Sequence, residues 1–398
     1  MQLKLSFVAG LIASSALVMA APVEQERGIN IPIEKRATLN VAGSSEVDWT
    51  KVDSHMDRLR AKYAKNLAAF ENNTGRVHPS KRDIPAESLS KRATGTVGLT
   101  DQQNGELWTG TMAYGTPAQS FSIDFDTGSA DTLVNQGAFD PSSSTTSATN
   151  GDTFTTSYGD GTTASGTIYT DTVHIGGLSA TSTAIGVATS QFIDSSEGSS
   201  GISGMAFPAL AAFGSKYLPY FFRLKKVGAV SSGVFQFDLR TSGSTLYLGG
   251  TDSTKYSGSY SYVSLDSSNG FWQVPASVNG ISIESIVDTG TTIIVAPTTQ
   301  AKALFKKLNL PTFTQSGSTY AYFPCTSPPK VTFTYGGFTK TLSGTTTSFG
   351  TTTSGQCVLS VAGSDIGINA WITGDSFLQN AVVAFDTDNS RVGFASKK

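Results

Sequence analysis

One short stretch occurs twice in this chain, and that repeat limits the fold more than any other feature. Phe125-Asp126-Thr127-Gly128-Ser129-Ala130 returns much later as Val287-Asp288-Thr289-Gly290-Thr291-Thr292. Each copy follows a β-type run, 121–125 in the first case and 281–287 in the second. Each is followed at a similar remove by an apolar-x-Gly triplet. Ile202-Ser203-Gly204 comes after the first copy, and Ile372-Thr373-Gly374 after the second. A lone Asp-Thr-Gly is common by chance. Two copies with matching surroundings predict a tandem of similar β lobes.

The chemistry follows from such a pairing. Glycine after Asp-Thr permits a tight loop and close backbone approach. If the lobes meet about a pseudo-twofold axis, Asp126 and Asp288 become neighbours. Two adjacent carboxylates cannot both ionise easily, so they share one proton. One acid and one base at a single site can activate water and polarise a carbonyl together. Such a site needs no metal, cofactor or covalent intermediate.

Composition removes the competing chemistries. The chain has only three His and two Cys. His55 and His78 precede residue 93, which leaves His174 alone in the rest. No Cys/His metal cluster can be built from that set, so no metal is expected. Gly374-Asp375-Ser376-Phe377 has the look of a nucleophile box, but no His follows it. Residues 93–398 hold 14 Lys and Arg against 20 Asp and Glu, and no Lys or Arg occurs from Ala93 to Ser215. Nucleic-acid binding needs clustered cations and is not expected. An acidic chain of this kind loses self-repulsion as pH falls, which suits acidic working conditions.

The front of the chain reads as a processed leader. Residues 1–20 have a signal-peptide pattern: Lys4, an apolar core over 7–18, and small residues before Ala21. The core is too short to span a membrane, and no other segment is long and apolar enough. Residues 21–92 carry three dibasic pairs, Lys35-Arg36, Lys81-Arg82 and Lys91-Arg92. Between them Val52, Met56, Leu59, Tyr63, Leu67 and Phe70 form one helical stripe that Asn72-Asn73-Thr74-Gly75 ends. This segment is expected to be a removable propeptide rather than a small helical domain. It also holds the one N-glycosylation sequon, at Asn72.

From Ala93 onward the chain is rich in Gly, Ser and Thr, with short strands expected at 107–114, 119–126, 167–175, 245–248, 260–263, 330–335 and 381–385. Helical signals are few, and 219–227 and 298–308 are the best of them. This is an all-β body, longer than one β domain needs. The expected division is a signal peptide over 1–20, a propeptide over 21–92, an N-terminal β lobe over 93–264 and a C-terminal β lobe over 265–398.

At these residues the sequence resembles the pepsin-like aspartic proteases, nearest to the secreted fungal branch of penicillopepsin and aspergillopepsin type. Tyr158-Gly159-Asp160-Gly161 followed by Ala164-Ser165-Gly166 is similar to that family's flap hairpin. Residues 201–206 and 371–378 resemble its two apolar-apolar-Gly loops, and 385–395 its closing strands. The resemblance implies a bilobal fold with pseudo-twofold related lobes and Asp126 and Asp288 as catalytic pair. Thr127, Gly128, Ser129, Thr289, Gly290 and Thr291 would support them. Tyr158, Gly159 and Asp160 would close over substrate. Cys325 and Cys357 match the family's second-lobe disulfide, and an exported chain with two Cys supports that pairing independently. Lys62-Tyr63 resembles a pair that blocks the dyad in related zymogens.

Three features depart from the family pattern. Leu133 stands where a Trp usually supports the flap Tyr. The stretch from Asp126 to Tyr158 is shorter than usual. Ser203 replaces an apolar residue of the first triplet. The implied function is a secreted, monomeric acid endopeptidase that acts on extended peptides or proteins, prefers large apolar residues at the scissile bond, tolerates Lys and is blocked by pepstatin-type inhibitors. A catalytically silent binding protein on the same fold is the alternative, and acid-dependent proteolysis separates the two. His174 reads as a solvent-facing strand residue. Trp108, Trp272 and Trp371 read as core.

Overall fold

The computed structural model describes residues 28–35, 39–83, 108–157, 163–192 and 198–398. The signal-peptide, Lys91-Arg92 and flap-tip readings (Tyr158, Gly159, Asp160) lie outside the described residues. Two large β-sheets carry the body, one of thirteen strands and one of ten.

The expected strands are present with small shifts at their ends, at Trp108–Tyr114, Gln119–Asp126, Ser244–Leu248, Thr332–Tyr335 and Val382–Asp386. Two run longer than their patterns suggest, Thr163–Ile175 and Tyr256–Ser264. In the second, residues 257–259 are all exposed, so no apolar alternation marks the start. The two helices fall at Tyr220–Lys226 and Thr298–Lys307. Trp108, Trp272 and Trp371 are fully buried. His174 is half-buried, bonded to Ser179 and to the Gly115 carbonyl.

Each lobe builds its Asp loop in the same way. Strand Gln119–Asp126 runs parallel to Gly201–Gly204, which in turn is antiparallel to Thr132–Val134. Strand Ile281–Val287 runs parallel to Trp371–Thr373, which is antiparallel to Ile294–Ala296. The triplet strand is thus wedged between the strand before the loop and the strand after it. The triplet glycines have to be glycines for that reason. A Cβ at Gly204 would lie 2.5 Å from the Ala130 backbone, and one at Gly374 would strike the Thr291 carbonyl. Ser203 is compensated: its hydroxyl meets Thr132 Oγ1 at 3.0 Å in the buried interior. Thr373 does the same in the other lobe, with Ser285 at 2.6 Å and Tyr335 at 3.1 Å. Cys325 and Cys357 form the disulfide.

The long helix Trp49–Thr74 starts at Asp48, whose side chain accepts from the Thr50 and Lys51 amides. It stops at Gly75, which takes φ 67°, a conformation that favours glycine. All six stripe residues are buried. They pack against Ala130, Ala206, Phe271, Ile293 and Ile368, so the helix fills the cleft beside both Asp loops. Burial of each large apolar side chain contributes about 1.5–3 kcal/mol to that docking. Ahead of the helix, strand Ile29–Lys35 sits in the thirteen-stranded sheet between Ser244–Leu248 and Trp108–Tyr114. The sequence reading has no strand here. Its signal is the alternation of Ile29, Ile31 and Ile33, interrupted by Pro32.

Candidate active site

The two Asp loops meet, and each holds its carboxylate with the same set of donors. Gly128 N–H donates to Asp126 Oδ1 at 2.8 Å and Ser129 Oγ to Oδ2 at 2.5 Å. Gly290 N–H donates to Asp288 Oδ1 at 2.9 Å and Thr291 Oγ1 to Oδ2 at 2.7 Å. Thr127 and Thr289 do something different: they strap the lobes together. Thr127 Oγ1 donates to the Val287 carbonyl at 2.9 Å, and Thr289 Oγ1 to the Phe125 carbonyl at 2.6 Å. Each hydroxyl also accepts the other's backbone N–H at 3.0 Å. All four bonds are buried, where they are hard for water to replace.

Gly128 and Gly290 carry the close approach of the two carboxylates. A Cβ on Gly128 would come within 2.5 Å of the Asp288 carboxylate, and one on Gly290 would collide with Asp126 Oδ1. Both Asp side chains are fully buried, and they share a hydrogen bond. Burial lifts the Asp126 carboxyl above its ordinary value, against the pull of Lys62. Burial acts on Asp288 too, but the Lys62 ammonium and the hydrogen bonds from Asp126, Lys62 and Thr291 hold it below the ordinary value. The pair is therefore split into one carboxyl that keeps its proton and one that gives it up.

Lys62 and Tyr63, singled out by sequence, lie against the two carboxylates. Lys62 Nζ is 3.1 Å from Asp126 Oδ1 and 2.9 Å from Asp288 Oδ2. It also donates to the Gly290 carbonyl at 3.1 Å. Tyr63 OH donates to Asp288 Oδ2 at 2.9 Å. Sequence reasoning missed further contacts of this helix. Asn66 Nδ2 donates to the Gly128 carbonyl at 2.6 Å. Asn73 Nδ2 donates to the Ala209 and Ala211 carbonyls. Lys65 Nζ lies 3.2 Å from Asp131 Oδ2. The signal was there for two of them: Asn66 and Asn73 are polar residues set among the stripe positions, where only a partnered group can be buried.

Leu133 is buried with Phe154, Ile168 and Phe213 in a satellite cluster of the first lobe. Its side chain fills the space over Gly186, which has no Cβ to oppose it. The arms of the expected flap are a hairpin, with Thr153–Ser157 antiparallel to the start of Thr163–Ile175. Among the described residues no cluster of His, Cys, Asp and Glu could hold a metal ion. No described helix is long and apolar enough to cross a membrane.

The family model for eukaryotic aspartyl proteases matches residues 108–397. Secreted aspartyl protease 1 of Malassezia globosa is 42% identical over 399 residues, covering 99% of this chain and 99% of that protein. An aspartic protease of Phaffia rhodozyma is 36% identical, covering 95% of each chain. Endothiapepsin of Cryphonectria parasitica is 33% identical over 338 residues, with 78% of this chain and 80% of that protein covered. With two matched Asp-Thr-Gly loops brought to one buried carboxylate pair, the chain belongs to the eukaryotic aspartyl protease family and is a pepsin-like aspartic endopeptidase of the fungal type.

Proposed function

We propose that Asp126 and Asp288 are the catalytic pair of a secreted acid endopeptidase, made as a zymogen and held latent by residues 21–92. The observation that carries this reading is the Lys62 ammonium, seated against both carboxylates. It occupies the position that a water attacking a peptide would need. The apolar core at 7–18 and the word "secreted" in the name of the Malassezia globosa relative support export.

Once the helix leaves, the ionised carboxylate takes a proton from water while the water oxygen adds to the peptide carbonyl carbon. The protonated carboxyl gives its proton to the carbonyl oxygen, and a tetrahedral diol forms. In the collapse one diol hydroxyl returns its proton to the ionised carboxylate while the protonated carboxyl gives its proton to the leaving nitrogen; the C–N bond breaks, and one shared proton remains on the pair. The buried donors around each carboxylate keep this geometry fixed through the cycle.

A long cleft between β lobes suits an extended peptide, held by strand-like hydrogen bonds with pockets for alternate side chains. Large apolar residues are expected on both sides of the scissile bond, with Lys accepted through Asp160. Asp160→Thr is therefore expected to lower the ratio of cleavage after Lys to cleavage after Leu by a few-fold. An exposed pair is worth about 0–1 kcal/mol. An unchanged ratio in a peptide library rules out that role. Gly290→Ala is expected to cut kcat tenfold or more while both Asp residues remain, because its methyl group displaces the Asp126 carboxylate. A kcat within twofold of wild type would contradict the close approach.

Purified secreted protein should digest a denatured protein at acidic pH, with a new N-terminus near Ala93, and a pepstatin-type inhibitor should stop it. Binding of that inhibitor without proteolysis would favour a silent binding protein. The active protein is proposed to be a monomer, with any glycan at Asn72 lost with the propeptide.

A further inference from the structure

We propose that Asp131 reads a basic side chain of the substrate, as a cation-selective subsite of the cleft. The inference rests on the reading that the long helix leaves the cleft on activation. Asp131 follows the first Asp-Thr-Gly loop closely, and its side chain is 2% exposed. Two backbone amides fix it: Ala212 N–H donates to Oδ2 at 3.0 Å and Phe213 N–H to Oδ1 at 3.2 Å. The one cation paired with it among the described residues is Lys65, 3.2 Å from Oδ2.

Departure of the helix removes that cation and leaves the carboxylate where it is, because its two amide donors belong to the lobe. A buried anion that loses its partner is costly. A carboxylate pinned in a low-dielectric wall favours an ammonium or guanidinium that can reach it, through a charge-assisted hydrogen bond. Lys65 therefore marks a position that a substrate Lys or Arg can refill. Lys62, on the dyad, and Lys65 are about 4.5 Å apart along the helix axis, at about 1.5 Å per residue. An extended peptide advances about 3.3 Å per residue. The basic residue then falls one to three positions from the scissile bond, on one side of it. Arg82 and Asp365 form another propeptide–lobe pair, but Arg82 is 35% exposed there, so water competes for it.

The test uses the matured enzyme at the mildly acidic pH where it cleaves. One peptide core is varied at the three positions on either side of the scissile bond, with Lys, Arg, norleucine or Glu at each. At one position wild type is expected to favour Lys over norleucine about tenfold in kcat/KM and to discriminate against Glu. Asp131→Asn should bring the Lys-to-norleucine ratio at that position to about one. A ratio cancels any general loss of activity in the variant. A wild-type ratio at or below one at every position overturns the inference, as does the same preference in Asp131→Asn. If that variant does not fold, the wild-type series with its Glu arm still decides. Should matured wild type cleave none of the peptides, the endopeptidase reading falls together with this one.

Discussion

Asparagine in place of Asp126 or Asp288 is expected to lower kcat/KM for peptide hydrolysis about a thousandfold or more, with the fold intact. Asn keeps an oxygen that can accept the Gly128 or Gly290 amide, so the loop has little reason to move. What is lost is the shared proton. With one carboxylate gone, no group can take a proton from water while its neighbour gives one to the carbonyl oxygen. The double variant should be little worse than either single one, because groups that act as a unit are not additive. The measurement is peptide turnover by variants matured with an added processing protease, beside a thermal melt. Turnover within tenfold of wild type, from either variant, would sink the assignment.

Release of the helix is expected to depend on His55 as well as on the dyad. His55 is buried on the helix, and its Nε2 has no hydrogen-bond partner. Arg58 and Lys62 flank it on its own helix, and Asp288 faces it from the second lobe. Burial first, then the two cations, push its pKa from 6.5 down to about 3. The sign follows. Above about pH 6.5 the imidazole is neutral whether the helix is docked or free. As pH falls from there toward 3, the free segment binds a proton that the docked one refuses, so docking weakens. At about pH 4.5 the difference is about 3 kcal/mol, or on the order of 100-fold in release. Acid also neutralises the carboxylates that hold Lys62, so the two effects act in one direction. His55→Gln should thus activate more slowly at pH 4.5 by tens of fold, with its activation midpoint moved to lower pH. Identical midpoints for the two proteins would remove His55 from the switch.

Much of this site was legible because its parts are local. Asp-Thr-Gly dictates its own loop, and duplication is visible wherever a hexapeptide recurs. The family resemblance then attached roles to Ser129, Thr291, Lys62 and Tyr63. Sequence offered less about what joins the lobes. Thr127 and Thr289 looked like carboxylate supports, yet each hydroxyl is spent on the opposite lobe's backbone. A contact between residues so distant along the chain leaves no local pattern. The same holds for Asp131, whose charge is answered by Lys65, far earlier in the chain. Strand Ile29–Lys35 had a local signal, three alternating isoleucines, but its segment reads by composition as a detachable leader. Ser203 looked like a defect in its triplet, and only the neighbouring Thr132 hydroxyl explains it.

That strand sets an order of events in the life of the molecule. It is the link between Ser244–Leu248 and Trp108–Tyr114, and with Ile31 and Ile33 it contributes to the main core. A chain synthesised without it would present two raw sheet edges, the kind of surface on which other chains nucleate. On the proposed reading that this segment is removed, assembly is expected to come before excision. If residues 21–92 are cut away as proposed, the segment serves the scaffold before it is discarded, and cutting before assembly is expected to give aggregate instead of enzyme.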